Sequence, residues 1–174
     1  MHMHVFSLFK MHDFSNGTRL RALMRKRGLL MSDRLLIVDD EAEFGRFAGH
    51  VGELAGYEVT VTSNGQDFKK SFSEWKPTVI ILDLSMPDMD GLELLRWLAS
   101  ENCHAQLVIM SGFDARVVEA AKLVGEERGL NIRFAISKPV RVREMKEKLE
   151  SIKAESATQS EASSPQEDKA APNS

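Results

Sequence analysis

The chain has 174 residues, 43% of them hydrophobic and 28% charged, which suits one globular domain with appendages. Its net charge of −3 is uneven: residues 1–30 carry +5, residues 31–153 carry −5 and residues 154–174 carry −3, so only the leader would attract nucleic acid or anionic lipid. A lone cysteine, Cys103, excludes an internal disulfide and a multi-thiolate zinc site, and no apolar stretch approaches the ~20 residues that span a bilayer. The expected compartment is a reducing cytoplasm. Val5 to Phe9 is too short for a signal-peptide core, and basic residues follow it instead of preceding it.

Residues 1–30 form a basic leader that reads three ways: a disordered arm, a basic amphipathic helix over Arg19 to Leu30, or a misassigned start, since Met31-Ser32-Asp33 stands directly before the first strand. Residues 31–153 then alternate β-rich runs with helical patterns. Arg34 to Val38 is a strand, and Glu41 to Ala55 a helix with Phe44, Phe47, Ala48, Val51 and Leu54 on one face. Gly56 stops that helix, and Tyr57 to Thr62 alternates as a second strand. Ser63-Asn64-Gly65 turns into a short helix with Phe68, Phe72 and Trp75, ended by Pro77.

The third strand is Thr78 to Leu82; the loop Asp83 to Asp90 follows, then a helix bearing Leu92, Leu95 and Leu98. Gln106 to Met110 is the fourth strand. Asp114 can cap the next helix, whose expected buried stripe is Val117, Ala120, Ala121 and Val124. Gly129 stops it before the fifth strand, Ile132 to Ile136, and a last helix carries Val142, Met145, Leu149 and Ile152 at helical spacing. Residues 154–174, rich in Ala, Ser, Glu, Gln and Pro without apolar periodicity, read as a disordered acidic tail.

Five βα units in series predict an α/β fold, a doubly wound, five-stranded parallel sheet with helices on both faces. Right-handed crossovers favour the flavodoxin-like strand order 2-1-3-4-5. Ligands of such sheets bind beyond the carboxyl ends of the strands, where Asp39, Asp40, Asp83, Ser111 and Lys138 all fall.

That set suits a divalent cation and a phosphorylated carboxylate. Mg²⁺ takes oxygen ligands, usually one or two carboxylates with waters and phosphate oxygens. Asp39 and Asp40 are adjacent and point in different directions, one toward direct ligation and the other toward a bridging water. Asp83 supplies a further oxygen and can attack a phosphoryl donor to give an acyl phosphate. Three neighbouring carboxylates resist ionising together, so a bound cation and Lys138 are needed to keep Asp83 anionic. The Ser111 hydroxyl can donate to a transferring phosphoryl group, Gly112 lets backbone and phosphate approach closely, and Lys138-Pro139 is a candidate cis peptide.

Across residues 33–153 the chain resembles the receiver domain of two-component response regulators. The resemblance is carried by Val38-Asp39-Asp40-Glu41, by Leu82-Asp83-Leu84-Ser85-Met86-Pro87-Asp88-Met89-Asp90-Gly91, by Met110-Ser111-Gly112 and by Ser137-Lys138-Pro139. It implies Asp83 as phosphoacceptor, Asp39, Asp40, Asp83 and the Ser85 backbone carbonyl as ligands of Mg²⁺ (or Mn²⁺), Ser111 as switch hydroxyl and Lys138 as phosphate-contacting lysine. It also implies a phosphohistidine donor on a sensor histidine kinase or histidine phosphotransfer protein, and a downstream protein partner that the sequence does not identify. The chain departs from the family at Ala135, where an aromatic switch residue is usual; Phe134 is adjacent, and strand alternation turns it to the other face.

Each motif alone has a plainer reading. Asp-Asp-Glu after an apolar run is often a helix cap, Asp83 with Pro87 and Gly91 could be turn chemistry, and Ser111 and Lys138 could be ordinary turn and helix-start residues. Their joint order argues against that. The leading expectation is a single-domain response regulator, not an enzyme, that signals by partner binding; the alternative is a phosphate sink or shuttle in a phosphorelay. A phosphoaspartate phosphohydrolase would need a second acid where Ser85 stands. A DNA-binding domain is not expected, because no helix-turn-helix pattern follows the receiver.

Overall fold

A computed structural model of the protein describes residues 33–86, 91–112 and 115–162, with backbone alone at 115 and 157–162. The leader, the Asp114 cap, the motif residues Pro87 to Asp90 and the end of the tail lie outside the described residues. The elements are β1 (Arg34–Val38), α1 (Ala42–Leu54), β2 (Glu58–Thr62), α2 (Gly65–Trp75), β3 (Val79–Asp83), α3 (Gly91–Ser100), β4 (Gln106–Ser111), α4 (Ala115–Glu127), β5 (Asn131–Ser137) and α5 (Val142–Ala162). All strand pairs are parallel, in the order β2-β1-β3-β4-β5. Among the described residues no helix is long and apolar enough to cross a membrane.

The three inner strands are apolar on both faces, as burial between two helix layers requires. Leu36, Val38, Ile80, Leu82, Leu107 and Ile109 meet Phe68 of α2, Leu94, Leu95 and Leu98 of α3, and Val118 and Ala121 of α4. Leu35, Ile37, Val79, Ile81, Val108 and Met110 meet Ala48 and Val51 of α1 and Met145, Leu149 and Ile152 of α5. Successive strand residues therefore supply both cores, and every strand ends at the same sheet edge.

Local chemistry sets the helix ends. Asn64 Oδ1 accepts from the Asp67 N–H at 2.9 Å and its amide reaches the Asp67 carboxylate at 2.8 Å, a side-chain cap on α2. Lys76, at φ 50°, ends α2 ahead of Pro77. At the end of α1, Gly56 takes φ 81°, and Lys153 of α5 donates to its carbonyl at 2.7 Å.

Three expectations are corrected. Leu54 is exposed, so the buried face of α1 stops at Val51 and Gly52. A Cβ at Gly52 would come within 2.6 Å of Leu35 Cδ2, so the sheet side of that turn admits only glycine without a shift. On α4, Ala121 is buried as expected, but Val117, Ala120 and Val124 face solvent, and Val118 and Gly125 are buried in their place. Alanines and valines recur at nearly every phase of that helix, so periodicity alone did not pick the face. The face is chosen by close approach at Gly125, where a Cβ would come within 2.3 Å of Ile132 Cδ1.

The third correction is the end of α5, which continues through Ala162 into the segment whose composition reads as tail. Tertiary contacts hold its extension: Gln106 Nε2 donates to Ser156 Oγ at 2.6 Å, and Arg133 pairs with Glu155.

Candidate functional site

Asp39 and Asp40 directly follow β1, β3 ends in Asp83, β4 in Ser111 and β5 just before Lys138, and because these strands are adjacent and parallel their ends converge. Lys138 Nζ donates to Asp39 Oδ2 at 2.6 Å and to Asp83 Oδ2 at 2.7 Å. The Lys138–Pro139 peptide is cis. Carboxylate oxygens of Asp39, Asp40 and Asp83 all lie within 4.8 Å of one another. Asp39 and Asp83 are buried, as is Ser111, and Asp40 is exposed. The site therefore opens on Asp40 and is closed beneath by the sheet.

The remaining carboxylate oxygens are also engaged. Asp39 Oδ1 accepts at 3.0 Å from the N–H of Glu41, the residue that precedes α1, so the acid that joins the pocket also sets the turn into that helix. Asp83 Oδ1 accepts from the Ser85 N–H at 2.9 Å. Ser85 Oγ lies 2.8 Å from Ser111 Oγ and accepts from the Gly112 N–H at 3.1 Å. These contacts fix the rotamers of both acids and the position of the Ser111 hydroxyl.

Burial pushes the Asp39 carboxyl up from its ordinary 3.8, against the pull of Lys138 and with a further push from Asp83. For Lys138, burial pulls down, but hydrogen bonds and charge from Asp39 and Asp83 outweigh it and leave the ammonium above its ordinary 10.5. Two buried carboxylates thus share one ammonium, with the exposed Asp40 carboxylate close by. An all-oxygen, anionic set of this kind is the donor chemistry of a hard divalent cation such as Mg²⁺ or Mn²⁺, and the residues fit one.

Every sequence-predicted polar residue reaches this edge. Ala135 and Phe134 do not join it: Ala135 packs against the core beneath α2–α4, whereas Phe134 packs with the core beneath α1 and α5 under Lys148, 4.5 Å from its ring centroid. A register shift of β5 opposite Leu107 and Val108 precedes this pair. Two contributors were missed by sequence reasoning. The Ser85 side chain contacts Ser111, where only its backbone had been expected to act, and the ring of Phe44, assigned simply to the apolar face of α1, lies under Lys138 with its centroid 4.1 Å from Nζ. The position of Phe44 in the first turn after Asp39-Asp40 was the available signal.

A doubly wound parallel sheet with a buried acid, a lysine and a hydroxyl at its carboxyl edge defines a signalling receiver fold. The chain belongs to the response regulator receiver domain family, which it matches over residues 35–150. It is 33% identical over 95 residues to chemotaxis protein CheY of Thermotoga maritima, covering 53% of this chain and 79% of that protein. It is 30% identical over 118 residues to transcriptional regulatory protein GltR of Pseudomonas aeruginosa, covering 68% of this chain but only 48% of that protein. Among solved structures, a response regulator from Colwellia psychrerythraea superposes with a TM-score of 0.64 at 30% identity, over 72% of this chain and 99% of that one.

Proposed function

We propose that the chain takes a phosphoryl group from a phosphohistidine onto Asp83 and signals through a protein partner that distinguishes the phosphorylated form. The donor is a histidine on a sensor kinase or phosphotransfer protein. A Mg²⁺ or Mn²⁺ ion would be held by Asp39, Asp40, Asp83 and the Ser85 backbone carbonyl. The observation that carries the reading is the pair of short bonds from Lys138 to Asp39 and Asp83, with the Asp40 carboxylate within reach of both.

In the transfer, a carboxylate oxygen of Asp83 attacks phosphorus. An O–P bond forms as the P–N bond to the donor imidazole breaks, and the imidazole leaves with the electron pair. Lys138 exchanges its bond with Asp83 for one to a phosphoryl oxygen, and the Ser111 hydroxyl donates to another. A cation held by these residues would offset the charge of the transferring group. Incubation with acetyl phosphate and Mg²⁺ is expected to add one acid-labile phosphate, abolished in Asp83→Asn and by chelator. Label retained in Asp83→Asn would refute the assignment.

A second reading, a phosphate sink or shuttle, is favoured by the Ala135–Phe134 arrangement, in which no aromatic side chain of β5 packs beneath Ser111 on the Ala135 face. Fast back-transfer to a histidine phosphotransfer protein, with partner affinity unchanged by phosphorylation, would select it.

A further inference from the structure

The Lys138 ammonium has three N–H donors and no acceptor. Two are spent on Asp39 Oδ2 and Asp83 Oδ2, and the group also faces the ring of Phe44. At 4.1 Å to the centroid this is the shortest cation–ring approach among the described residues; Lys148 over Phe134 stands at 4.5 Å and Lys153 over Tyr57 at 5.0 Å. The Lys138 side chain is only 14% exposed, so water screens the contact weakly.

The ring is itself anchored. Phe44 packs on Phe47 at 5.5 Å between centroids and belongs to the core that includes Val140, two residues past the lysine. Its helix begins where Asp39 Oδ1 takes the Glu41 N–H and the Glu41 carbonyl takes the Gly45 N–H. One of the acids that binds the ammonium therefore also sets the turn carrying the ring beneath it.

We propose that Phe44 is a positioning residue, whose ring face holds the Lys138 ammonium at the Asp39–Asp83 pair and keeps it there when a phosphoryl group displaces one of its carboxylate partners. A ring does this without adding a fourth negative charge to the pocket, and it offers no lone pair that would compete for the cation site. A water molecule could satisfy the same N–H but would not resist the lysine swinging outward. The inference rests on the phosphoacceptor reading for its functional consequence, though not for the contact itself.

The test has two arms, both on the full chain. In metal-free protein, the ε-methylene protons of Lys138 are expected to show a ring-current displacement that disappears in Phe44→Leu. Mono-, di- and trifluorophenylalanine placed at position 44 then weaken the ring's negative face at nearly constant shape, so folding is preserved even where Phe44→Leu is damaged. The rate of Asp83 labelling by acetyl phosphate with Mg²⁺ should fall stepwise along that series, roughly three- to ten-fold in all, with melting temperature unchanged. A flat rate across the series, or lysine methylene protons undisplaced in the parent chain, would overturn the proposal and leave Phe44 as a packing residue. Should the parent take no label at all, the phosphoacceptor reading fails by itself, and the metal-free spectrum alone decides whether the ring holds the lysine.

Discussion

Asp39 is buried beside Asp83 with one lysine between them, and the burial of its charge, with a smaller push from Asp83, outweighs the pull of that lysine. Because its carboxyl is raised above 3.8, the folded chain holds that proton to higher pH than the unfolded chain does. Its ionisation therefore lowers stability as pH climbs from 3.8 through the raised value. Asp39→Asn removes that cost. In chelator at neutral pH the variant should melt about 3–5 °C above the parent, the shift that ~1 kcal/mol produces in a domain of this size. The gap should close as pH falls toward 3.8, where the parent's carboxyl is itself protonated. Mg²⁺ should raise the parent's melting temperature and act far less on the variant, which thermal melts across pH and metal concentration would read directly. The acidic pair and its association with a cation were legible from residue type and spacing. The contact of Lys138 with the Phe44 ring was harder to read, because a phenylalanine on an apolar helix face is assigned to packing first, and only its place just after the acidic pair hinted at more.

At the scale of elements, the start of α3 packs directly on the end of β3. Gly91 lies so close to it that a Cβ there would come within 2.5 Å of Leu84 Cα and 2.8 Å of the Asp83 carbonyl oxygen. Both obstacles are backbone, so neither can yield as a flexible side-chain end would. Gly91→Ala is expected to cost at least ~1–3 kcal/mol in urea unfolding and to weaken Mg²⁺ binding in calorimetric titration, because relief requires the end of β3 to move. Gly52→Ala should cost less, since the atom in its way is a terminal methyl of Leu35. Element types and order were readable throughout from apolar runs and punctuating Gly, Asn and Pro. The phase of α4 was not, because several of its faces are apolar enough to pass as the buried one.

Across the whole domain, α5 packs back on the residues that lead into β1 and β2. Its carbonyl at Leu149 accepts from Tyr57 Oη at 2.8 Å, and Lys153 pairs with Asp33 at 3.1 Å beside the Tyr57 ring. Burial, and then the charge of Asp33, hold the Tyr57 phenol above its ordinary 10.0. The folded chain thus keeps this proton where the unfolded chain loses it, and stability falls as pH rises past 10.0. Tyr57 is the only tyrosine in the chain, so an absorbance titration reads it without overlap from another phenol. The tyrosinate band should appear together with the loss of helical circular dichroism, not before it. Tyr57→Phe should destabilise by about 1 kcal/mol and flatten the alkaline limb of the pH–stability curve.

Periodicity and chain punctuation alone determined five strand–helix units, hence a parallel sheet, and strand order then places the ends of β1, β3, β4 and β5 together. That order assigns the acids, the hydroxyl and the lysine to one edge, because strand direction constrains where a terminal residue goes. Tertiary structure alone decided which of those groups touch. The Lys138–Asp39 bond joins residues 99 apart in sequence, the Ser85–Ser111 contact joins a loop side chain to the end of β4, and the ring beneath the lysine comes from α1, at the far end of the domain's sequence. Such pairings depend on the depth and rotation at which each helix settles on the sheet, which a local pattern of apolar residues does not specify.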